Sequence, residues 1–170
     1  MNDWRASKAR ADQYLPEAKR IIRHVLPDLI RVDIAPPHED RLNATDLIVD
    51  NVRAWPWRHR FEDCTFRDFT VRYFLPNGAK TECEKLLEGH GDYYLYSWTD
   101  KYHAPNRQFS EWAVIDLDRW RDQWETLEIE AMMERNPGFD SAFLAWPISL
   151  LEERGVVARA KMVQPSLFTR

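Results

Sequence analysis

A chain of 170 residues, 44% of them hydrophobic, is long enough for one domain with a substantial core, and a second domain would have to be very small. The formal net charge of −4 argues against a protein that coats nucleic acid without specificity, although a local basic face is compatible with it. Two cysteines provide neither a disulfide framework nor a zinc spacing, and no apolar run is long enough to span a bilayer, so we expect a cytoplasmic protein without a membrane partner.

The first half of the chain predicts helices followed by strands. Residues 3–14 have a helical apolar spacing, and a second helix is expected over residues 16–27 because proline fits the first helical position. Asp50 and Asn51 predict a hairpin turn, and Pro56 predicts an edge strand or a bulge because it cannot donate to a ladder. Alternating or apolar runs predict strands at residues 30–34, 45–49, 53–60 and 68–75.

The middle of the chain predicts a crossover helix. Thr81 and Glu84 have the spacing of a capping box, and Gly89 is placed to end the helix. The aromatic run at residues 93–98 predicts the next strand. A helix in this position lets two strands of one sheet lie parallel, so the sheet is expected to be mixed.

The last part of the chain predicts a strand at residues 112–115 and then a long amphipathic helix near residues 117–135, capped by Asp116 or Asp118. A short helix after Pro147 and a strand near residues 156–160 are also expected. We therefore predict a single α+β domain with a helical N-terminus. Its core domain spans residues 1–135, and a C-terminal extension at residues 136–170 packs on that core or on a partner, which could be a second copy in a homodimer.

An arginine-rich and aromatic strand is one candidate binding surface. The arginine guanidinium can donate paired hydrogen bonds to phosphate oxygens, and an exposed tryptophan can stack on an unstacked base. In the structural alternative the aromatics belong to the core and the arginines pair with carboxylates. The candidate binding residues are Arg53, Trp57, Arg58, Arg60 and Arg72.

A second candidate site rests on a resemblance. Asp46 near the start of one strand, the arginine strand after it, and a crossover helix that carries Glu82 and Lys85 together resemble a degenerate PD-(D/E)XK nuclease-type core over roughly residues 15–118. Segments at residues 45–47, 69–72, 81–85 and 112–117 also resemble small proteins of phages and prophages. That second resemblance implies a phage origin and no particular activity.

The nuclease resemblance implies a Mg²⁺ site. Carboxylates suit this hard ion, which lowers the pKa of a bound water and neutralises the scissile phosphate. The implied catalytic residues are Asp46, Glu82 and Lys85, and the implied metal ligands are Asp46, Asp68 and Glu82. The sequence departs from the family because Arg58-His59-Arg60 occupies the Glu-X-Lys position, so the acid and the lysine would have moved to the helix. In the structural alternative, Glu82 and Glu84 stabilise the helix N-terminus and Lys85 lies on its surface.

These sequence features support two functional hypotheses. The first is a non-catalytic binding protein of phage type, without a cofactor, that engages a host protein or nucleic acid through its arginine and aromatic surface. The alternative is a Mg²⁺-dependent nuclease with a migrated Glu/Lys pair. Arginines at the expected metal-ligand position favour the first function, and no Walker A, nucleophile-elbow or dinucleotide motif supports another enzyme class.

Overall fold

Three sheets form the framework of the molecule. The computed structural model describes residues 9–27, 31–36, 46–49, 53–61, 64–135 and 140–162; of Arg53 and Ala54 it describes the backbone only. The strands in these ranges are β1 (Val32–Ile34), β2 (Leu47–Val49), β3 (Arg53–Trp55), β4 (Trp57–Arg60), β5 (Asp68–Phe74), β6 (Tyr93–Trp98), β7 (Glu111–Asp116), β8 (Met132–Arg135), β9 (Ala142–Pro147) and β10 (Val157–Lys161).

Short helices join and cover these strands. The helices are α1 (Leu15–Val25), α2 (Glu82–Leu87), α3 (Leu117–Asp122), α4 (Trp124–Glu130) and α5 (Ile148–Glu153), with a 3₁₀ turn at Ala104–Asn106. Residues 9–12 are also helical, as predicted, while the start of that first helix lies outside the described residues. None of the helices within the described ranges is both long and apolar enough to cross a membrane.

The central sheet has four strands in the order β10-β7-β6-β4, and it is mixed, as predicted. β4 and β6 run parallel, whereas β6 with β7 and β7 with β10 are antiparallel. The strand parallel to β6 is β4, and not β5, which directly precedes the crossover helix. The crossover therefore contains β5 as well as α2, because β5 pairs in another sheet.

Both faces of the central sheet are buried, and each face contributes to a separate hydrophobic core. Along β6, Leu95 packs with α1 and the β1-β2-β3 sheet, whereas Tyr94, Tyr96 and Trp98 pack with the β5-β9-β8 sheet and α2, α3 and α5. A strand that is buried on both faces needs no polar alternation. This burial explains the nearly continuous aromatic run at residues 93–98.

The proline at position 56 divides the predicted strand at residues 53–60 in two. β3 ends the β1-β2-β3 sheet, whereas β4 is the edge of the central sheet, so the expected edge position is confirmed. β2 and β3 pair antiparallel, as the predicted hairpin requires, although its turn at residues 50–52 lies outside the described residues. Gly91 packs against this break: a Cβ there would lie 2.9 Å from Leu117 Cδ1 and 3.1 Å from Pro56 Cδ, and its φ is +83°.

The segment near residues 117–135 differs from the long helix that the sequence predicts. Asp116 caps α3 by accepting a hydrogen bond from the backbone of Arg119, but the helix breaks at Gln123 and ends at Glu130. The Trp146 indole donates to the Leu127 carbonyl at 2.7 Å, close to where the next turn would begin. Residues 132–135 then pair with β9 as strand β8.

Residues 142–161 contribute to the core that contains Tyr94, Tyr96 and Trp98. β9 lies between β5 and β8, and β10 pairs with β7 at the edge of the central sheet. Trp146 and Leu151 are fully buried with residues of β5, β6 and α3. The short helix after Pro147 and the strand that follows it form as predicted.

Candidate functional site

The two faces of β4 have opposite chemistry. Successive side chains of a strand point to opposite faces, so Arg58 and Arg60 share one face and Trp57 and His59 share the other. The Trp57 indole donates to Ser97 Oγ at 3.0 Å, and Trp57 packs against the core that contains Phe109. Trp57 therefore lies on the face of β4 opposite the arginines.

Arg58 is locked in an ion pair with Glu82. Its Nη2 donates to both carboxylate oxygens, at 2.9 and 2.7 Å, and its Nη1 donates to the carbonyl and hydroxyl of Thr70. Only 24% of the Arg58 side chain and 16% of the Glu82 side chain are exposed. Hydrogen bonds between a guanidinium and a carboxylate are shorter and stronger than those between neutral groups.

Two further donors saturate the Glu82 carboxylate. The Tyr94 hydroxyl donates to Oε1 at 2.7 Å, and the backbone N–H of Arg72 donates to Oε2 at 3.0 Å. Burial raises the pKa of Glu82, but the Arg58 guanidinium and the Tyr94 hydroxyl outweigh it and hold that pKa below its usual value. Glu82 is thus an ionised carboxylate whose oxygens are already occupied by hydrogen-bond donors.

Arg60 has a different environment from Arg58. Its Nη2 donates to Tyr96 Oη at 2.8 Å and to Thr70 Oγ1 at 2.9 Å, and its Nε donates to the same tyrosine oxygen at 3.1 Å. Among the described residues, no carboxylate lies within ion-pairing distance of Arg60, and its Nη1 has no hydrogen-bond partner. Neutral partners therefore orient this guanidinium without neutralising its charge.

A cleft of about 450 Å³ opens beside Arg60, between β4 and the outer face of the β5-β9-β8 sheet. Arg72 is exposed, and its guanidinium lies 5.3 Å from the ring centre of Phe143, which is its cross-strand neighbour. Arg135 is also exposed at the end of β8. The residues that line the cleft are Arg58, Arg60, Thr70, Arg72, Glu134, Arg135 and Phe143.

Two acids oppose the positive charge of the cleft. Glu134 lines it, and Asp68 lies on β5 in alternation with Thr70 and Arg72, so that its side chain points to the same face. Burial and the Glu134 carboxylate raise the pKa of Asp68, against the opposite effect of Arg60. Because Glu82 neutralises Arg58, the remaining guanidiniums outnumber these carboxylates by one.

The other predicted site residues lie elsewhere. Asp46 Oδ2 accepts the backbone N–H of Trp57 at 2.6 Å and so ties the start of β2 to the start of β4. Lys85 is half-buried on α2, and neither Lys85 nor Asp46 lines the cleft. Arg53 pairs through its backbone with Val49, and its side chain lies outside the described residues. Of the predicted binding residues, the structure brings together Arg58, Arg60 and Arg72.

The implied acids do not fit a Mg²⁺ site as they are arranged. Mg²⁺ needs free carboxylate oxygens in an octahedral shell. The oxygens of Glu82 accept four hydrogen bonds from Arg58, Tyr94 and Arg72, and one oxygen of Asp46 is held by the Trp57 amide. In the described part of the chain, no group of three or more His, Cys, Asp or Glu side chains could hold a metal ion.

Four residues of the cleft were missed by sequence reasoning: Thr70, Glu134, Arg135 and Phe143. Thr70 alternates with Arg72 on β5 and could have been found from that pattern. The other three come from β8 and β9; β9 pairs with β5 and β8 pairs with β9, and these long-range pairings leave no local signal. Neither protein-family models nor curated proteins show a significant match to this chain.

Proposed function

We propose that this protein is a non-catalytic binding protein that holds nucleic acid through its arginine-lined cleft. The observation that carries the proposal is the convergence of Arg60, Arg72 and Arg135 on one cleft without a carboxylate in ion-pairing distance, among the residues described. Guanidinium groups with free N–H donors bind phosphate oxygens in pairs. Phe143 adds an aromatic wall of the kind on which bases stack.

The placement of Glu82 supports binding over catalysis. In the alternative, a Mg²⁺-dependent PD-(D/E)XK-type nuclease with a migrated Glu/Lys pair, Glu82 would have to bind the metal ion. To do so it would have to leave Arg58, and a buried guanidinium without its partner is strongly destabilising. The binding function uses the arrangement as it stands.

The proposal predicts that two exposed cleft arginines are needed for binding. We expect Arg72→Ala combined with Arg135→Ala to weaken binding of a short fluorescein-labelled DNA or RNA strand by at least about tenfold, because each lost charge-assisted hydrogen bond is worth about 1.5–3 kcal/mol. The measurement is fluorescence anisotropy at low salt, with single-stranded and duplex ligands in parallel. Both side chains are exposed, so the variant should fold normally.

The matched control removes the same charge elsewhere. Arg20→Ala combined with Arg119→Ala removes two exposed arginines, 62% and 63% exposed, that pair with Glu17 and Asp116 away from the cleft. It should bind like the unmodified protein. Equal loss in both variants, or no binding by the unmodified protein, would refute the proposal. Cleavage of the strand in Mg²⁺ that is lost in Asp46→Ala would establish the nuclease alternative in its place.

A further inference from the structure

We infer that the cleft takes the phosphorylated end of a nucleic-acid strand: its terminal phosphomonoester binds the arginines and its terminal base packs beside Phe143. This inference rests on the proposed function and specifies its ligand. The features that carry it are the three arginines that line one cleft without ion pairs to any described residue, the size of the cleft, its two neighbouring acids and the Phe143 ring.

Six arginines outside the cleft pair with neighbouring carboxylates in the described ranges. Arg23, Arg107 and Arg159 have no ion pair there, and none of them lines the cleft. A protein that follows a nucleic-acid backbone places its basic groups along an extended path. The arginines outside the cleft that pair with a carboxylate are Arg20, Arg31, Arg67, Arg119, Arg121 and Arg154.

The cleft has the size of a site for one small ligand. A volume of about 450 Å³ is far more than a bare phosphate occupies, and it falls within the roughly 300–1,000 Å³ of small-molecule sites. One nucleotide at the end of a strand matches both the volume and the number of arginines.

The charges favour a terminal phosphate over an internal one. A phosphomonoester carries about −1.5 to −2 charges at neutral pH, whereas an internal phosphodiester carries one. Glu134 and Asp68 repel either group, so the ligand with more charge gains more from Arg60, Arg72 and Arg135. Arg60 is held in place by Tyr96 and Thr70, whereas Arg72 and Arg135 are exposed and can close on the phosphate.

Phe143 favours a nucleotide over a phosphorylated protein. Its half-buried ring forms one wall of the cleft, and the Arg72 guanidinium lies near the ring. A base can stack on such an aromatic or guanidinium surface, and every base has a flat face. A phosphoserine peptide has no equivalent group to place there.

The experiment compares one ten-nucleotide single strand in three forms: 5′-phosphorylated, 3′-phosphorylated and without a terminal phosphate. Each competes for the full chain against a labelled 5′-phosphorylated strand, and inorganic phosphate and a phosphoserine peptide are further competitors. We expect one phosphorylated form to bind at least tenfold more tightly than the unphosphorylated strand. Phe143→Leu should reduce that binding roughly tenfold, whereas Phe143→Tyr should retain it.

The outcomes separate this inference from the function on which it rests. Equal binding of all three strands, lost in the Arg72→Ala and Arg135→Ala variant, overturns the terminal-phosphate inference and leaves the proposed function standing. No binding of any strand overturns both. Competition by the phosphoserine peptide or inorganic phosphate as strong as that of the phosphorylated strand overturns the assignment to a nucleic-acid end.

Discussion

Glu82 shows at the scale of single residues how the structure assigns a role that composition leaves open. Only 16% of the Glu82 side chain is exposed. Its carboxylate accepts hydrogen bonds from Arg58, Tyr94 and the backbone of Arg72. It joins β4, β5, β6 and α2 through hydrogen bonds. A residue placed in this way stabilises the fold and orients the wall of the cleft.

Replacement of Glu82 should therefore destabilise the protein. Glu82→Gln leaves the Arg58 guanidinium buried without its counter-charge, and breaking a buried pair from one side costs roughly 3–5 kcal/mol. We expect a decrease of this size in the free energy of unfolding, measured by urea denaturation at pH 7. The double variant Arg58→Met with Glu82→Gln should be less destabilised than the single one.

The matched control for this prediction is Glu88→Gln. Glu88 lies on the exposed side of α2's C-terminus, where 45% of its side chain is exposed and it pairs with Lys80. Exposed pairs contribute roughly 0–1 kcal/mol, so this variant should be almost as stable as the original protein. A loss below about 1 kcal/mol in Glu82→Gln would contradict the structural role assigned to Glu82.

At the scale of elements, β4 is a strand with one charged and one aromatic face. His59 lies on the aromatic face, with its ring centre 4.4 Å from that of Tyr14, 4.7 Å from that of Phe61 and 5.1 Å from that of Phe109. Its Nδ1 lies 2.9 Å from Ser97 Oγ. Burial, and to a lesser degree the charge of Arg10, lowers the pKa of His59 to about 3.

This histidine should make the protein sensitive to mild acid. An unfolded histidine binds a proton below about pH 6.5, whereas folded His59 stays neutral down to about pH 3, so the unfolded state binds more protons between these values. Stability should fall with decreasing pH in that window, by up to about 1.4 kcal/mol per pH unit from this residue. The measurement is urea denaturation at pH 7.5, 6.0 and 5.0.

Comparison with variants isolates the part of the effect that His59 causes. His59→Phe keeps an aromatic ring and should flatten the dependence on pH between about 6.5 and 5. His103→Gln removes a partly exposed histidine that pairs with Asp100, and it serves as the comparison for loss of a histidine outside β4. An identical pH slope in the original protein and in His59→Phe would contradict the buried, neutral state of His59.

At the scale of the whole molecule, an acidic chain brings three arginines, without ion pairs among the residues described, together in one cleft. The net charge of −4 disfavours extended contact with a polyanion, and the cleft offers three guanidiniums without ion-pair partners in the described part of the chain. Binding should thus be electrostatic but local. Its dependence on salt reports the number of phosphates that the protein neutralises.

We expect a weak salt dependence of binding. With a single-stranded ligand bound through one terminal phosphate of about −1.5 to −2 charges, the slope of the logarithm of the association constant against that of salt concentration should be about −1 to −1.5. Anisotropy titrations between 50 and 300 mM KCl measure this slope. A slope of about −5 or steeper would mean an extended footprint that the cleft does not provide.

The sequence alone predicts the parts of this fold that depend on neighbouring residues. The capping box of Thr81 and Glu84 and the edge position of the strand after Pro56 form as expected, because each depends on backbone preferences within a few positions. The α+β class and the mixed sheet follow from periodicities that are equally local. The arginine face of β4 was also predictable, from alternation.

Only the tertiary structure decides which distant strands meet. Arg72 faces Phe143 and shares a cleft with Arg135 because β9 pairs with both β5 and β8, and the end of α4 depends on an indole from β9. The pairing of Glu82 with Arg58, which occupies the carboxylate that the resemblance implies as a metal ligand, also joins residues 24 positions apart. Local hydrophobic patterns specify which face of a strand is buried; they carry no information on the partner or the register. Packing of the whole chain selects those, and with them the cleft.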